Sequence, residues 1–285
     1  HEPWRIRFST QDKTRYDYWK RMEFSEDQWL DLKSHADEVG VKFISSPFSL
    51  EAVELLKKVG VYAWKIASGE VNNDEILDSI AETGLDIYLS TGMSTIEEVD
   101  RAVEKIKNKD LPLTVLQCTS MYPTPPEKTG LNMLNVFRER YKCEVGLSDH
   151  SGKIFTGLAA ATIGIDVLEV HVTFSKEMFG PDVTSSLTIE EFRELIEGIR
   201  FIERTLEHDV DKNAVADELK PIRDIFRKSI VYLKDLGKGS VIDRRDIGFK
   251  KPGIGVDPGY INEVLGKTVK KDVKTDDLLS LDDLT

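Results

Sequence analysis

Six short apolar runs alternate with longer amphipathic segments between residues 41 and 173. The runs occupy 41–44, 63–67, 87–89, 113–117, 145–147 and 167–172. Each is followed by a helical segment or a long loop, and none shows a clean apolar–polar alternation. Strands that are buried on both faces of a parallel sheet have this appearance. The repeated unit therefore predicts an α/β fold built on a parallel sheet.

The segments between the runs predict helices with recognisable ends. They cover 26–39, 49–59, 74–83, 94–108 and 131–141, and a long helix over 189–207 closes the series. Three of them have a capping box at the start, formed by Ser25 with Gln28, Ser94 with Glu97, and Thr188 with Glu191. Residues 1–24 are aromatic and basic, and we expect them to form an extended loop.

The predicted strands end in small polar residues. In an α/β barrel the active site lies at the carboxyl ends of the strands. A full (β/α)8 TIM barrel needs eight strands, so we expect the missing pair to precede residue 1. An open, doubly wound sheet is the alternative. We assign residues 1–210 to the barrel domain, 211–227 to a charged linker and 228–285 to a small β-rich domain. A short helix is expected over 221–228, and strand-like runs lie at 230–232 and 240–242.

The net charge of −12 argues against nucleic acid or an anionic membrane as a partner. The sequence contains neither an apolar run of transmembrane length nor a signal peptide. Cys118 and Cys143 are the only cysteines, and their spacing is not that of a metal site. We expect two reduced thiols in a cytoplasmic protein.

The parallel arrangement of the strands makes two histidines a candidate metal site. His150 ends the fifth predicted strand, and His171 lies in the sixth. A right-handed crossover through the small-residue helix between them points both strands the same way. The two imidazoles should then meet at one edge of the sheet, as ligands of a divalent metal.

Six motifs occur in order along the chain: KIASGE at 65–70, LSTGM at 89–93, CTSMYPTP at 118–125, GLSDH at 146–150, EVHVT at 169–173 and GPD at 180–182. Together they resemble the sialic acid synthase family. KSIV at 228–231 and KKPGIGV at 250–256 resemble that family's antifreeze-like SAF domain, a β-clip fold. The family's barrel opens with an EIGxNH-type and a KxQ-type motif, and neither occurs in this sequence.

The resemblance implies condensation of phosphoenolpyruvate with an open-chain N-acylated mannosamine-type sugar. The products would be a nine-carbon 2-keto acid and inorganic phosphate. It also implies a divalent metal, typically Mn²⁺ with Mg²⁺ or Co²⁺ as alternatives, and a homodimer that exchanges its C-terminal domains.

The resemblance also assigns roles to polar residues at the strand ends. Phosphoenolpyruvate carries a phosphate and a carboxylate, which favour a cation and short hydroxyl donors. The residues expected to bind it are Lys65, Ser46, Ser68, Ser90, Ser120 and Ser148.

A second set of residues is expected to hold the sugar or to act in catalysis. Glu70 and Tyr122 are assigned to both roles, and Glu169 is an acid–base candidate because it shares a strand face with His171. Asp182, Arg227 and Lys251 are sugar-binding candidates. The family often has arginine where Lys251 stands, and lysine lacks the bidentate fork of arginine.

The identity of the acylated sugar stays open at this point, because the motifs support more than one member of the family. Two other interpretations are kept. One is a barrel enzyme that condenses phosphoenolpyruvate with ordinary aldoses. The other is a non-catalytic sugar-binding relative with a decayed site.

Overall fold

Seven parallel strands form one sheet in the first of two units of the chain, His1–Glu207. The structure, a computed structural model, describes Trp4, Ser9 and residues 11–285. The strands are β1 (Ile44–Ser45), β2 (Ala63–Ile66), β3 (Ile87–Ser90), β4 (Leu113–Cys118), β5 (Glu144–Asp149), β6 (Val167–Thr173) and β7 (Ser186–Thr188). Each strand pairs with the next one along the chain. The predicted α/β class is confirmed, and the doubly wound alternative is wrong because its strand order would reverse at a switch point.

The sheet curls as a barrel wall does. Lys65 on β2 and Glu169 on β6 lie four strands apart, yet their Nζ and Oε2 atoms are separated by 3.5 Å. In a flat sheet, strands four positions apart are separated by about 19 Å, which these side chains cannot span. The contact therefore requires a sheet that bends round until β2 and β6 face each other.

Two strands differ from the sequence prediction. β7 is a seventh strand, which the sequence pattern missed because only three residues pair with β6. β1 is limited to Ile44–Ser45 instead of residues 41–44. It lies at an edge of the sheet and pairs with β2 alone, so little holds residues 41–43 in the ladder.

Eight helices accompany these strands in the described part of the first unit. They are α1 (Arg15–Met22), α2 (Glu26–Glu38), α3 (Leu50–Val59), α4 (Asp74–Ala81), α5 (Ile96–Lys107), α6 (Asn132–Tyr141), α7 (Ile154–Ile163) and α8 (Ile189–Leu206). The capping boxes at Ser25 and Thr188 are present as predicted. The capping box predicted at Ser94 forms one residue later in the structure, between Thr95 and Glu98.

Helix α1 contradicts the extended loop expected for residues 1–24, because Thr14 and Asp17 form a capping box that starts a helix there. Residues 1–3, 5–8 and 10 of that prediction lie outside the described part of the chain. Among the helices that the structure describes, none has the length and apolar character needed to cross a bilayer.

The core of the first unit lies between the sheet and helices α3 to α6. All of β4 is buried, and Trp64 on β2 is fully enclosed while its indole N–H donates to Thr83 Oγ1 at 2.8 Å. Strand β6 is only half-buried along most of its length. The central strands are therefore fixed by packing on both faces, and β6 presents Glu169 and His171 on a more open strand.

The second unit, His208–Thr285, has a core of its own. It contains α9 (Lys212–Glu218), α10 (Lys220–Phe226), β8 (Ser229–Tyr232), β9 (Ile247–Lys250) and α11 (Ile261–Val264). Strands β8 and β9 pair antiparallel, and isolated bridges such as Val231 with Leu278 extend the β structure, which confirms the β-rich prediction. The segment predicted as a linker consists mostly of the short helices α9 and α10.

Candidate active site at the carboxyl ends of the strands

Two histidines and a tyrosine form an aromatic cluster where β5 and β6 end. His150 follows β5 directly, and His171 lies in β6. Their ring centroids are 5.0 Å apart and their planes meet at 84°. Tyr122 stacks on His150 with a centroid distance of 4.2 Å and lies edge-on to His171 at 5.8 Å. The structure thus brings together the two histidines that the strand topology predicts to meet.

The hydrogen-bond partner of His150 identifies its tautomer. Its Nδ1 lies 3.0 Å from the carbonyl oxygen of Thr119. A carbonyl can only accept, so Nδ1 carries the proton and donates it. In the neutral form of the ring the lone pair is then on Nε2, the arrangement in which an imidazole can bind a metal. On His171 the corresponding nitrogen faces a carboxylate, because Nδ1 lies 3.5 Å from Asp182 Oδ2, an ion-pair distance that is longer than the hydrogen bond of His150.

A charged group lies beside the histidines. Lys65 Nζ is 3.5 Å from Glu169 Oε2, and Ser148 Oγ donates to Glu169 Oε1 at 2.9 Å. Lys65 and Ser148 are largely shielded from solvent, with side-chain exposure of 12% for the lysine and residue exposure of 3% for the serine. Three of the predicted residues therefore form one contiguous group, and a cation and a carboxylate are both available there.

Small polar side chains from the ends of β2 and β4 converge on Gly92, which follows β3. Its N–H donates to Ser68 Oγ at 2.8 Å. A methyl group added at Gly92 would lie 2.4 Å from Ser120 Oγ, 2.7 Å from Cys118 Sγ and 2.9 Å from Ser68 Oγ. We call Ser68, Ser90, Gly92, Cys118 and Ser120 the strand-end cradle.

Ser90 contributes an unusual hydroxyl to this cradle. The residue is 2% exposed, and within the described residues its Oγ has no hydrogen-bond partner. Buried polar groups are usually paired, since an unpaired hydroxyl costs free energy on folding. An oxygen-rich ligand in the cradle would supply the missing partner.

The pKa values of the two histidines move in opposite directions. Burial lowers the pKa of His171 below its ordinary value, and the nearby Asp182 carboxylate only partly offsets this. Burial also lowers the pKa of His150, but hydrogen bonds to Cys118 and to the Thr119 carbonyl outweigh it and leave that pKa raised. His171 is therefore neutral near pH 7, as a metal ligand must be.

The side chains at this position fit a metal site that has two imidazole ligands from the protein. Across the described residues, no group of three or more histidine, cysteine, aspartate and glutamate side chains is placed to hold a metal ion. The two imidazoles are arranged with one Nδ1 donating to Thr119 and the other facing Asp182, which leaves both Nε2 atoms for a cation. Such a pair fits a divalent ion whose other positions are filled by water or substrate oxygens.

Four other predicted residues belong to other segments of the chain. Glu70 accepts from Asn73 Nδ2 at 2.8 Å, just before α4, and Ser46 follows the edge strand β1. Arg227 and Lys251 belong to the second unit, where Arg227 pairs with Asp257 and Lys251 Nζ lies 4.7 Å from the Phe226 ring centroid. The roles assigned to these four residues stay predictions.

Three contributors to the site were not found by reasoning from the sequence: Gly92, Cys118 and the carbonyl of Thr119. A glycine in a strand-end turn and a cysteine at the end of a buried strand carry little signal alone. The signal that could have found Gly92 is its place in the run of small residues after β3, where bulk would obstruct the rim.

Comparison with known families adds a second line of evidence. The NeuB family model matches residues 1–211, and the SAF domain model matches residues 227–285. The N,N'-diacetyllegionaminic acid synthase of Campylobacter jejuni is 34% identical over 280 residues, which cover 97% of this chain and 83% of that protein. An uncharacterised protein of Methanocaldococcus jannaschii is 37% identical over 273 residues, covering 94% of this chain and 80% of the relative.

A solved structure shares the architecture. The N-acetylneuraminic acid (sialic acid) synthetase of Leptospira borgpetersenii, crystallised with citrate, superposes with a TM-score of 0.67 at 28% identity. The match covers 75% of this chain and 76% of that one.

Proposed function

The chain belongs to the NeuB family, and we propose on this basis that it condenses phosphoenolpyruvate with an N-acylated mannosamine-type sugar and water. The products are a nonulosonic acid and inorganic phosphate. Relatives that are named as legionaminic acid and sialic acid synthases support this reaction class. The observation that carries the proposal is the contact of Lys65 with Glu169 beside the paired histidines.

The anionic substrate fits the strand-end cradle and the adjacent lysine. Phosphoenolpyruvate offers two anionic ends, and the cradle provides hydroxyl groups from Ser68, Ser90 and Ser120. Lys65 supplies a positive charge in a protein whose net charge is −12. Its local positive charge offsets the repulsion that an acidic protein exerts on an anion. The cradle and Lys65 would therefore hold phosphoenolpyruvate next to the histidines, since Cys118 Sγ lies 3.9 Å from His150 Nδ1.

The histidine pair would hold Mn²⁺, with Mg²⁺ or Co²⁺ as alternatives, through the Nε2 atoms of His150 and His171. When bound, a divalent ion of this kind polarises the aldehyde oxygen of the sugar. Tyr122 stacks on one imidazole and lies edge-on to the other, and so would limit the rotation of both rings.

The bond changes follow from the chemistry of an enol phosphate. The C2–C3 double bond of phosphoenolpyruvate supplies the electron pair that forms a bond to the aldehyde carbon, whose oxygen takes up a proton. Water adds to C2 and gives one proton to Glu169, which Lys65 and Ser148 hold in place. Glu169 passes that proton to the former aldehyde oxygen. The C2 hydroxyl then gives its proton to the departing phosphate as the bond between C2 and the phosphate oxygen breaks, and a 2-keto acid and phosphate leave.

The test is phosphate release from phosphoenolpyruvate in the presence of Mn²⁺. We expect release only when an N-acylated mannosamine-type sugar is supplied, and we expect Glu169→Gln to reduce it by at least 100-fold. Equal release with aldoses that lack the acylamino group would indicate the alternative aldose-condensing enzyme. A complete lack of release with every N-acyl hexosamine would contradict the proposal.

The C-terminal unit enters the proposal through Arg227 and Lys251. We propose that two copies of the chain associate and that the SAF domain of one copy supplies these side chains to the sugar site of the other. Light scattering measures the mass in solution, and a monomer at micromolar concentration that is fully active would contradict this arrangement. The cytoplasmic location expected from the sequence stays a prediction.

A further inference from the structure

The side chain of Asp182 faces His171 from the loop between β6 and β7. Its Oδ2 lies 3.5 Å from His171 Nδ1. The backbone of Asp182 is fixed, since its carbonyl accepts from the Ser185 N–H at 2.9 Å and from Ser186 Oγ at 2.8 Å. Asp182 therefore reaches the imidazole from a built turn.

The two histidines are held by different means. His150 is 4% exposed, stacked under Tyr122 and bonded through Nδ1 to a backbone carbonyl. His171 lies on the half-buried strand β6, and its side chain is 28% exposed. Packing restrains the first ring on several sides but leaves the second with more freedom. The more open imidazole is the one that has a carboxylate on its Nδ1 side.

We propose that Asp182 is a positioning residue for His171, which holds the Nδ1–H tautomer and turns Nε2 toward the metal. A carboxylate behind a metal-binding imidazole fixes the ring orientation and makes the ligand more basic. The inference rests on the proposed metal role of His150 and His171. It assigns Asp182 to the metal site itself, whereas the sequence predicts contact with the sugar.

The two roles of Asp182 differ in when the side chain acts. A positioning carboxylate acts before any substrate is bound, whereas a sugar-binding carboxylate has no effect until the sugar arrives. Mn²⁺ affinity measured without phosphoenolpyruvate and without sugar therefore separates them.

The experiment titrates the full chain with Mn²⁺ and follows the free ion by electron paramagnetic resonance, with no substrate present. We expect Asp182→Ala to raise the Kd for Mn²⁺ by about 10- to 100-fold, the usual effect of removing such a partner. Asp182→Asn keeps an acceptor oxygen without the charge and should lie between wild type and alanine. Glu177→Ala removes an exposed acid from the same loop and should leave the Kd unchanged.

A second variant tests whether Asp182 acts through His171. In a His171→Ala background the remaining Mn²⁺ affinity should be the same with and without Asp182. Circular dichroism of Asp182→Asn verifies that the chain is folded, should the alanine variant unfold.

The outcomes distinguish this inference from the proposed function. If wild type binds Mn²⁺ and both Asp182 variants bind it equally well while the KM for the sugar rises, Asp182 only holds the sugar and the inference is wrong. If wild type binds no Mn²⁺, the metal role of the histidines is wrong and this inference falls with it. Phosphate release from phosphoenolpyruvate is measured separately and is the test of the reaction.

Discussion

Gly92 shows how much the strand-end cradle depends on the absence of a side chain. Three polar side chains, Ser68, Cys118 and Ser120, approach its Cα so closely that a methyl group would lie under 3.0 Å from each of them. The neighbouring Gly69 has a different environment, with only Met93 Cε at 3.7 Å. The two glycines flank the same rim and provide a matched comparison.

We predict that Gly92→Ala raises the KM for phosphoenolpyruvate by more than 10-fold, because the methyl group displaces the cradle side chains. Gly69→Ala should leave that KM within about twofold, since its new methyl group makes only an ordinary van der Waals contact with Met93 Cε at 3.7 Å. Steady-state phosphate release measures both variants. Equal behaviour of the two would show that the cradle does not bind the substrate.

Ser90 allows a prediction that separates binding from stability. Its buried Oγ lacks a partner within the described residues, so Ser90→Ala removes an unpaired hydroxyl and should not lower the free energy of unfolding. If the hydroxyl donates to the bound anion, its loss should raise the KM for phosphoenolpyruvate by about 10-fold, as expected for a hydrogen bond to a charged group. Ser185→Ala, with another buried hydroxyl that lacks a partner there, should leave that KM unchanged. A lower urea midpoint for Ser90→Ala would count against this account.

The histidine pair was accessible from the sequence for a topological reason. Parallel strands place their carboxyl ends on one edge, so two residues at the ends of adjacent strands must be close. The hydrogen bond from His150 to the Thr119 carbonyl and the approach of Cys118 to Gly92 were not accessible. The first depends on how the loop after β4 folds back, and the second depends on the register of β3 against β4, and side-chain type encodes neither.

At the scale of helices and strands, the sequence predicts helix starts that depend on residues close together in the chain, but it does not predict the short elements α1 and β7. The capping boxes at Ser25 and Thr188 could be predicted because the bond partners are three residues apart. The sequence predicts the third capping box one residue too early, because Ser94 and Thr95 are adjacent and each has a glutamate three residues later. Helix α1 is rich in charged and aromatic residues and has little apolar periodicity, and β7 has three residues.

Helices α5 and α6 are joined by a polar contact with a pH-dependent contribution. Arg140 makes a bidentate pair with Asp100 through bonds of 2.7 and 2.5 Å, and the Tyr141 hydroxyl donates to the same carboxylate at 3.0 Å. The hydrogen bond from Arg140 holds the pKa of Asp100 below its ordinary value of 3.8. The pair therefore stabilises the fold at pH values above 3.8, and this contribution is lost as the pH falls through the lowered pKa.

We predict that Asp100→Asn lowers the free energy of unfolding at pH 7 by about 1 kcal/mol, a value kept small because both side chains are partly exposed. The difference from wild type should shrink as the pH falls below 3.8. Urea unfolding at pH 7 and near pH 3 measures both values. Asp37→Asn, which breaks an exposed pair with Lys33 within one helix, should cost about 0.5 kcal/mol or less. A loss that is the same at both pH values for Asp100→Asn would contradict the assignment.

At the scale of the whole molecule, each of the two units has hydrophobic core residues of its own in the described part of the chain. Those of the first unit lie behind the parallel sheet and include Trp64 and Leu89, and those of the second unit include Ile230 and Ile247. The sequence predicts a boundary after residue 210, where the charged segment 211–227 begins, and the first unit of the structure ends at Glu207. The short helices α9 and α10 were harder to foresee, since their segment is charged and has few buried residues.

Independent cores predict independent responses to mutation. Ile247 is fully buried in the second unit, so Ile247→Ala should lower the stability of that unit by about 2–5 kcal/mol. Hydrogen exchange of the first unit should be unchanged. Val241→Ala, at a position that is 61% exposed, should have little effect on either unit. Faster exchange in both units of the Ile247 variant would show that the cores are coupled.

The ion pair of Lys65 with Glu169 spans the concave side of the bent sheet, so the distance between the two side chains depends on the curvature of that sheet. Because we propose that both side chains act in the reaction, the rate of phosphate release should depend on that curvature as well. Every strand between β2 and β6 contributes a small rotation to that bend, and relaxing each one slightly would pull the cation and the carboxylate apart. In a series of dilute urea solutions, phosphate release should accordingly fade while the far-ultraviolet dichroism of the helices is still intact.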